Sequence, residues 1–223
     1  MKNYKNAFAA LFMVAVLVIG LSSCSKSSNT PGVTGNAAAN LKIQVSGLPY
    51  EALSESEKST LIFMREEEKL ARDVYTTLYS KWGVNMFTNI SASEQTHMDG
   101  ILLLLNKYGL ADPAANKGIG EFNNTALQTL YNELVAKGNV SITEAYIVGA
   151  IIEDLDLSDL KNALAGNDNQ DIKVIYESLA KGSRNHMRSF NGVIINSGLV
   201  YTPQFITQTE FDAIVNSSME KGF

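Results

Sequence analysis

A single cysteine, Cys24, is all the thiol chemistry this chain offers. It excludes an intramolecular disulfide and any cysteine-based zinc site. Lysine and arginine never gather into a run, and the net charge is −5, so nucleic acid is not an expected partner. Histidine is nearly absent, with two in 223 residues. The apolar run Ala7 to Gly20 covers fourteen residues, too short for a comfortable membrane span. What is present is ordinary for a folded protein: 45% hydrophobic and 18% charged residues, which argues against disorder throughout. The length suits one good-sized core.

The N-terminus accounts for the cysteine. Lys2 and Lys5 precede the apolar run, and Leu21-Ser22-Ser23-Cys24 follows it. This resembles a bacterial lipobox, with an aliphatic residue, two small residues and the cysteine that receives lipid. The expectation is a lipoprotein signal peptide over 1–23, lipid attachment at Cys24, and a flexible tether over 24–49 rich in Ser, Asn, Gly, Ala and Thr. The implied location is the cell envelope, with the protein held on the membrane and facing the periplasm or the cell exterior. Within the tether, Leu41 to Val45 alternates as a short extended segment would, and Gly47 and Pro49 break it.

From 50 to 223 the pattern is helical, and the expected class is all-α. Ser54-x-x-Glu57 reads as a capping box opening a helix that Trp82-Gly83 closes. Its stripe is Leu61, Met64, Glu68, Ala71, Tyr75 and Leu78, with Glu67 on a neighbouring stripe as a rival for the inward position. A second helix over about Thr88 to Tyr108 carries Ile90, Glu94, His97, Ile101, Leu104 and Tyr108 in its stripe, although Ser91-x-x-Glu94 also fits a capping box. A long Gly/Asp/Asn/Pro-rich stretch then leads into a short helix, Thr125 to Lys137. Together they read as the crossover that some four-helix bundles need between helices two and three. The third long helix follows Ser141-x-x-Glu144 and places Glu153 and Asp156 in its seam; the fourth places Ser183 and His186 there. Thr207-x-x-Glu210 caps a last short helix. Glu55, Glu57, Glu66 and Asp73 are expected on solvated faces.

Buried carboxylates are costly unless compensated. Here every long helix puts a metal-competent residue into an otherwise apolar seam: Glu68; Glu94 and His97; Glu153 and Asp156; His186. Four carboxylates and two imidazoles are the ligand set of a di-iron or di-manganese bundle, and both ligand types suit iron and manganese. Tyr75, Tyr108, Tyr146 and Tyr176 also lie in the seams, where packing is their commonest role.

Glu68 with Ala71 and Tyr75 resembles the first-helix ligand motif of rubrerythrins and ferritins, and Glu94-x-x-His97 resembles their second-helix motif. More closely, Leu53 to about Glu220 is similar to domain of unknown function 2202, a bacterial family with a ferritin-like fold. The segments carrying this are Met64 to Tyr75, Ser93 to Met98 and Gly182 to Arg188. The resemblance implies a ferritin-like four-helix domain and a metal site, not a known reaction. The chain departs from the ferritin pattern at Ser183, where a glutamate usually stands three residues before the last histidine. Asp156 is then the candidate for the fourth carboxylate.

The functional expectation is a non-haem protein with two divalent metal ions, iron first and manganese next, that reacts with dioxygen or peroxide. Its alternatives are metal storage without turnover and a metal-free helical interaction module. An enzyme of this kind would need an external electron donor, since rubredoxin-like Cys pairs are missing; the sequence also admits a homodimer. Replacing Cys24 with alanine is expected to abolish membrane association and release soluble protein, because lipoprotein cysteines carry several acyl chains. Wild-type protein found wholly soluble after cell fractionation would contradict the anchor.

Overall fold

Helix ends in this molecule are set by recognisable local chemistry. The structure, a computed structural model, describes residues 43–221. The signal peptide expected over 1–23, Cys24, the expected tether as far as 42 and the last two residues lie outside the described residues. Helix α1 spans Glu55–Trp82. The Ser54 hydroxyl accepts from the Glu57 backbone N–H while the Glu57 side chain accepts from Ser54, and Gly83 ends the helix at φ +66. Such a cap contributes about 1 kcal/mol. Helix α2 is Asn85–Lys107, α3 Thr125–Gly138, α4 Ile142–Ala165, α5 Gln170–Asn196 and α6 Gln208–Val215. Ser141 caps α4 through Glu144 N–H, but the Glu144 side chain pairs with Lys137 instead of closing the box. The box at Thr207 and Glu210 is complete.

Three sequence expectations need correction. Helix α2 starts at Asn85, so Ser91 is not a cap; its hydroxyl meets Thr76 Oγ1 and the Arg72 carbonyl across the α1/α2 contact. Residues 43–47 are helical rather than extended, and Val45 is buried in the core. Glu57, Glu66 and Asp73 are buried, and Glu55 alone of the four is exposed.

All elements are helical, with no strand among the described residues. Side-chain pairs give the helix directions. Across α1 and α2, Thr76 meets Ser91, Arg72 meets Gln95 and Glu68 meets His97, so these helices run antiparallel. Glu153 and Asp156 of α4 meet His186 and Ser183 of α5 in the same manner. Helix α1 also packs on α4, and α2 on α5. Tyr75 of α1 meets Glu153 of α4 while Glu67 lies beside Asp159, so α1 and α4 run antiparallel, and α2 and α4 point the same way. Their connection must travel back along the molecule, and it carries α3 against α1 and α4.

The interior is two apolar clusters. One gathers Leu70, Val74, Tyr75, Leu78, Phe87, Val148, Phe190 and Ile194. The other gathers Leu61, Met64, Ile101, Leu104, Leu160, Ile172, Tyr176 and Leu179. Each large side chain removed from water contributes about 1.5–3 kcal/mol. The numbering along every long helix places the charged seam residues between these clusters.

Gly149 of α4 makes room for a side chain of α5: a Cβ there would lie 2.2 Å from Phe190 Cε1. Gly192, on the same pair of helices, has nothing within 4 Å of an added Cβ. Gly149→Ala is expected to lower stability by about 1–3 kcal/mol through overpacking. Gly192→Ala is expected to raise it by roughly 0.5–1 kcal/mol by removing helix-glycine entropy. Denaturant unfolding of both variants tests the contrast, and equal shifts would contradict the close approach.

Candidate metal centre

Six polar side chains predicted to face inward all do so. Glu68, Glu94, His97, Glu153, Asp156 and His186 are buried, the most exposed at 8%. Helical spacing explains the grouping: Glu94 and His97 stand three apart on one face of α2, as do Glu153 and Asp156 on α4. His97 Nδ1 lies 2.7 Å from Glu94 Oε2 and 3.1 Å from Glu68 Oε2. His186 Nδ1 lies 2.9 Å from Glu94 Oε1 and 3.4 Å from Glu153 Oε2. The two imidazole rings are 5.8 Å apart, tilted by 30°.

Two triads result, Glu68–Glu94–His97 and Glu94–Glu153–His186, each with ligand atoms within 4.8 Å of one another. Glu94 belongs to both, offering one oxygen to each side. Asp156 belongs to neither. It accepts a hydrogen bond from Ser183 Oγ, and its Oδ1 has no hydrogen-bond partner. The Ser183 departure and Asp156 are thus in contact with each other. Glu68, rather than its rival Glu67, takes the place in the triad. Glu67 is also buried and lies beside Asp159 of α4.

Neighbouring groups fix the orientation of these side chains. Tyr75, buried completely, donates its hydroxyl to Glu153 Oε1. Ser93 Oγ sits 3.1 Å from His186 Nε2. Gly182 of α5 lies against His97, where a Cβ would fall 2.4 Å from Nε2. No periodicity marks Gly182 as functional; the signal was its presence in the Gly182 to Arg188 segment. Of the other seam tyrosines, Tyr108 donates to Asp171, Tyr176 to Thr60, and Tyr146 stacks on Phe87.

The charge balance is set by burial and by neighbours. Burial pushes the Glu94 carboxyl up, but the flanking His186 and His97 override it and hold Glu94 well below the usual carboxylate range. Burial alone would lower both imidazoles; Glu68 and Glu94 raise His97 well above its usual value, and Glu94 and Glu153 raise His186 to about 10. Glu68 is pushed by burial, against the pull of His97, to about 7. Burial raises Glu153 and, strongly, Asp156. Protons on the imidazoles and on Asp156 therefore offset carboxylate charge in the absence of a cation.

The donor set fits a divalent ion. It consists of hard carboxylate oxygens and imidazole nitrogens. Glu68 Oε1 and Asp156 Oδ1 are buried without a hydrogen-bond partner. Such atoms are costly to leave unmatched. A cation in the layer would satisfy both.

The fold and site define an all-helical protein with buried Glu/His groups able to hold metal. Residues 57–218 match the family described as "Uncharacterized protein domain (DUF2202)", and the chain belongs to that family. It is similar to the curated "Uncharacterized protein MJ0754" of Methanocaldococcus jannaschii. The two are 53% identical over 178 residues, 80% of this chain and 96% of that protein. The crystal structure described as "hypothetical protein MJ0754" is similar with TM-score 0.77 at 53% identity, over 78% of this chain and 99% of that one.

Proton linkage gives a sign. Glu68 and both histidines hold protons more tightly folded than unfolded, so the metal-free fold loses stability as pH rises. Glu68 acts from its unfolded value near 4.5 to about 7, His186 from 6.5 to about 10. Glu94, depressed, supplies stability that is already complete above 4.5 and does not offset this. The melting temperature of metal-free protein is expected to fall between about pH 5.5 and about pH 8.5. Saturating Mn2+ is expected to remove that fall, since cations displace the same protons. A metal-free melting temperature that rises over this range would overturn the assignment.

Proposed function

We infer that this chain is a ferritin-like four-helix protein that would hold two divalent metal ions, iron first and manganese next, with Glu94 common to both positions, and that it reacts with dioxygen or peroxide. The observation that carries the reading is the sharing of Glu94 between two buried triads. The antiparallel pairs α1/α2 and α4/α5, with a long connection between parallel α2 and α4, support the ferritin-like bundle with its crossover.

In this reading Glu68 and His97 would hold one ion, Glu153 and His186 the other, and Glu94 both. Ions held there would supply one-electron chemistry toward a small oxygen substrate. The protein's residues do the rest. Both histidines offer Nδ1, and Ser93 holds the far nitrogen of His186. Tyr75 orients Glu153 through its hydroxyl and sits among Phe87 and Phe190, which exclude water. Asp156 completes the second position as the fourth carboxylate; the partnerless Oδ1 and the neighbouring Glu68 and Glu153 support this. Four carboxylates then balance two divalent ions, so the filled centre is neutral in its low-dielectric surroundings. Reducing equivalents come from an external donor. The lipid anchor at Cys24 holds the domain at the outer side of a membrane.

Protein produced without chelators is expected to contain two iron or manganese ions per chain by elemental analysis. Glu94→Ala is expected to remove most of both, and Glu153→Ala to leave one. Ferrous oxidation coupled to consumption of oxygen or peroxide separates turnover from storage. Absence of metal after anaerobic reconstitution with ferrous ion would sink the reading and favour a metal-free interaction module.

A further inference from the structure

The metal centre does not account for the cleft between α2 and α5. It holds about 130 Å3 behind the two histidines and is walled by Ser93, Ser178, Lys181 and Asn185. A closed cavity of about 150 Å3 admits benzene, so this space suits a ligand of roughly four to six heavy atoms. Ser93 joins the cleft to the centre, its hydroxyl lying 3.1 Å from His186 Nε2. Asn185 is already engaged by Arg188 and by the Glu220 backbone, so it serves as wall.

Two of the walls carry donors with nothing to receive them. Ser178 is 8% exposed, and its hydroxyl has no hydrogen-bond partner among the described residues. Helical serines commonly return their hydroxyl to the carbonyl four residues back. Ser183 and Ser189, the other serines of α5, do so; Ser178 does not. Lys181, one turn further on, makes no ion pair or hydrogen bond among the described residues. Its neighbouring acid, Glu220, is taken by Arg184 at 2.6 Å and Arg188 at 3.0 Å. Burial lowers the Lys181 ammonium from its ordinary pKa, with Glu220 pulling the other way and Arg184 adding to the fall, as expected of a cation without a counter-ion. A buried hydroxyl and an ammonium left unmatched in one cleft cost stability unless an acceptor joins them.

We propose that the α2/α5 cleft binds a small carboxylate anion, of formate or acetate size, through the Lys181 ammonium and the Ser178 hydroxyl. One unpaired ammonium matches one negative charge, and a carboxylate brings two oxygens to two donors. A doubly charged phosphate would keep a charge unmatched near Glu220. Neither Lys181 nor Ser178 belongs to the triads, so the site exists whether or not the centre is filled.

Acetate titrated into isotope-labelled, metal-free protein at constant ionic strength, with chloride as the ion it replaces, tests this through backbone amide shifts. Shifts that saturate and centre on Ser93, Ser178 and Lys181 to His186 are expected. Lys181→Gln is expected to weaken acetate at least about ten-fold, the loss of one charged hydrogen bond, and Ser178→Ala about three-fold, the loss of a neutral one. Lys181 is partly exposed, so its variant keeps the fold and serves if Ser178→Ala does not. Shifts that never saturate, or equal affinity in wild type and Lys181→Gln, would overturn the site. Saturation by inorganic phosphate with none by acetate would overturn the carboxylate class.

Discussion

A charged layer across an apolar interior is the constraint on which this structure depends. Above and below it the bundle is built from Leu, Ile, Val and Phe, which offer no counter-charge. Within the layer, Glu94 is the common element, with one oxygen toward His97 and the other toward His186. Removing such a group leaves its partners charged and unmatched, at a cost of about 3–5 kcal/mol. The four helices are therefore coupled through one carboxylate. Its neighbours serve to hold the layer in register: Gly182 admits the His97 ring, Tyr75 fixes Glu153, and Ser183 occupies Asp156.

The stretch from Arg65 to Asp73 does two jobs on two faces. Glu68 points to the centre. The face carrying Arg65, Lys69 and Asp73 instead clasps the crossover: Arg65 pairs with Asp112 through two bonds of 2.9 Å, Lys69 donates to the Gly118 carbonyl, and Asp73 accepts from Gly120 N–H. Glu66 joins it at the start of α3, where free N–H groups and the helix dipole favour an anion. Lys69 is itself buried over the Phe122 ring at 4.5 Å. The long crossover, which has few apolar residues of its own, is thereby held by charge on the same helix turns that bear Glu68.

This explains which parts of the molecule were legible in the sequence. A stripe of period 3.6 identifies which side chains share a face, so Glu94, His97, Glu153, Asp156 and His186 could be assigned inward from spacing, while Glu68 kept Glu67 as a rival. Capping boxes gave the starts of α1 and α6 because their chemistry is local. Spacing says nothing of what lies opposite a charged face. Glu66 and Asp73 look solvated until the crossover is laid over them, and Ser91 looks like a cap until α2 is seen to begin two turns earlier. Glu67 and Glu68 differ by one position, 100° around the helix. Only the placement of α4 decides that one meets Asp159 and the other meets His97.

The same placement makes the centre chemically two-sided. Carboxylates come from α1 and α4, imidazoles from α2 and α5, with Glu94 the one acid on the histidine side. Because Nδ1 of each histidine is turned toward the acids, the backs of the rings are turned toward the α2/α5 cleft, where His186 Nε2 reaches Ser93. Gly182 lines that cleft because a side chain there would push His97 away from Glu68 and Glu94. The two sides of the layer thus have different surroundings: hydroxyl, amide and ammonium groups behind the imidazoles, and carboxylates along α1 and α4.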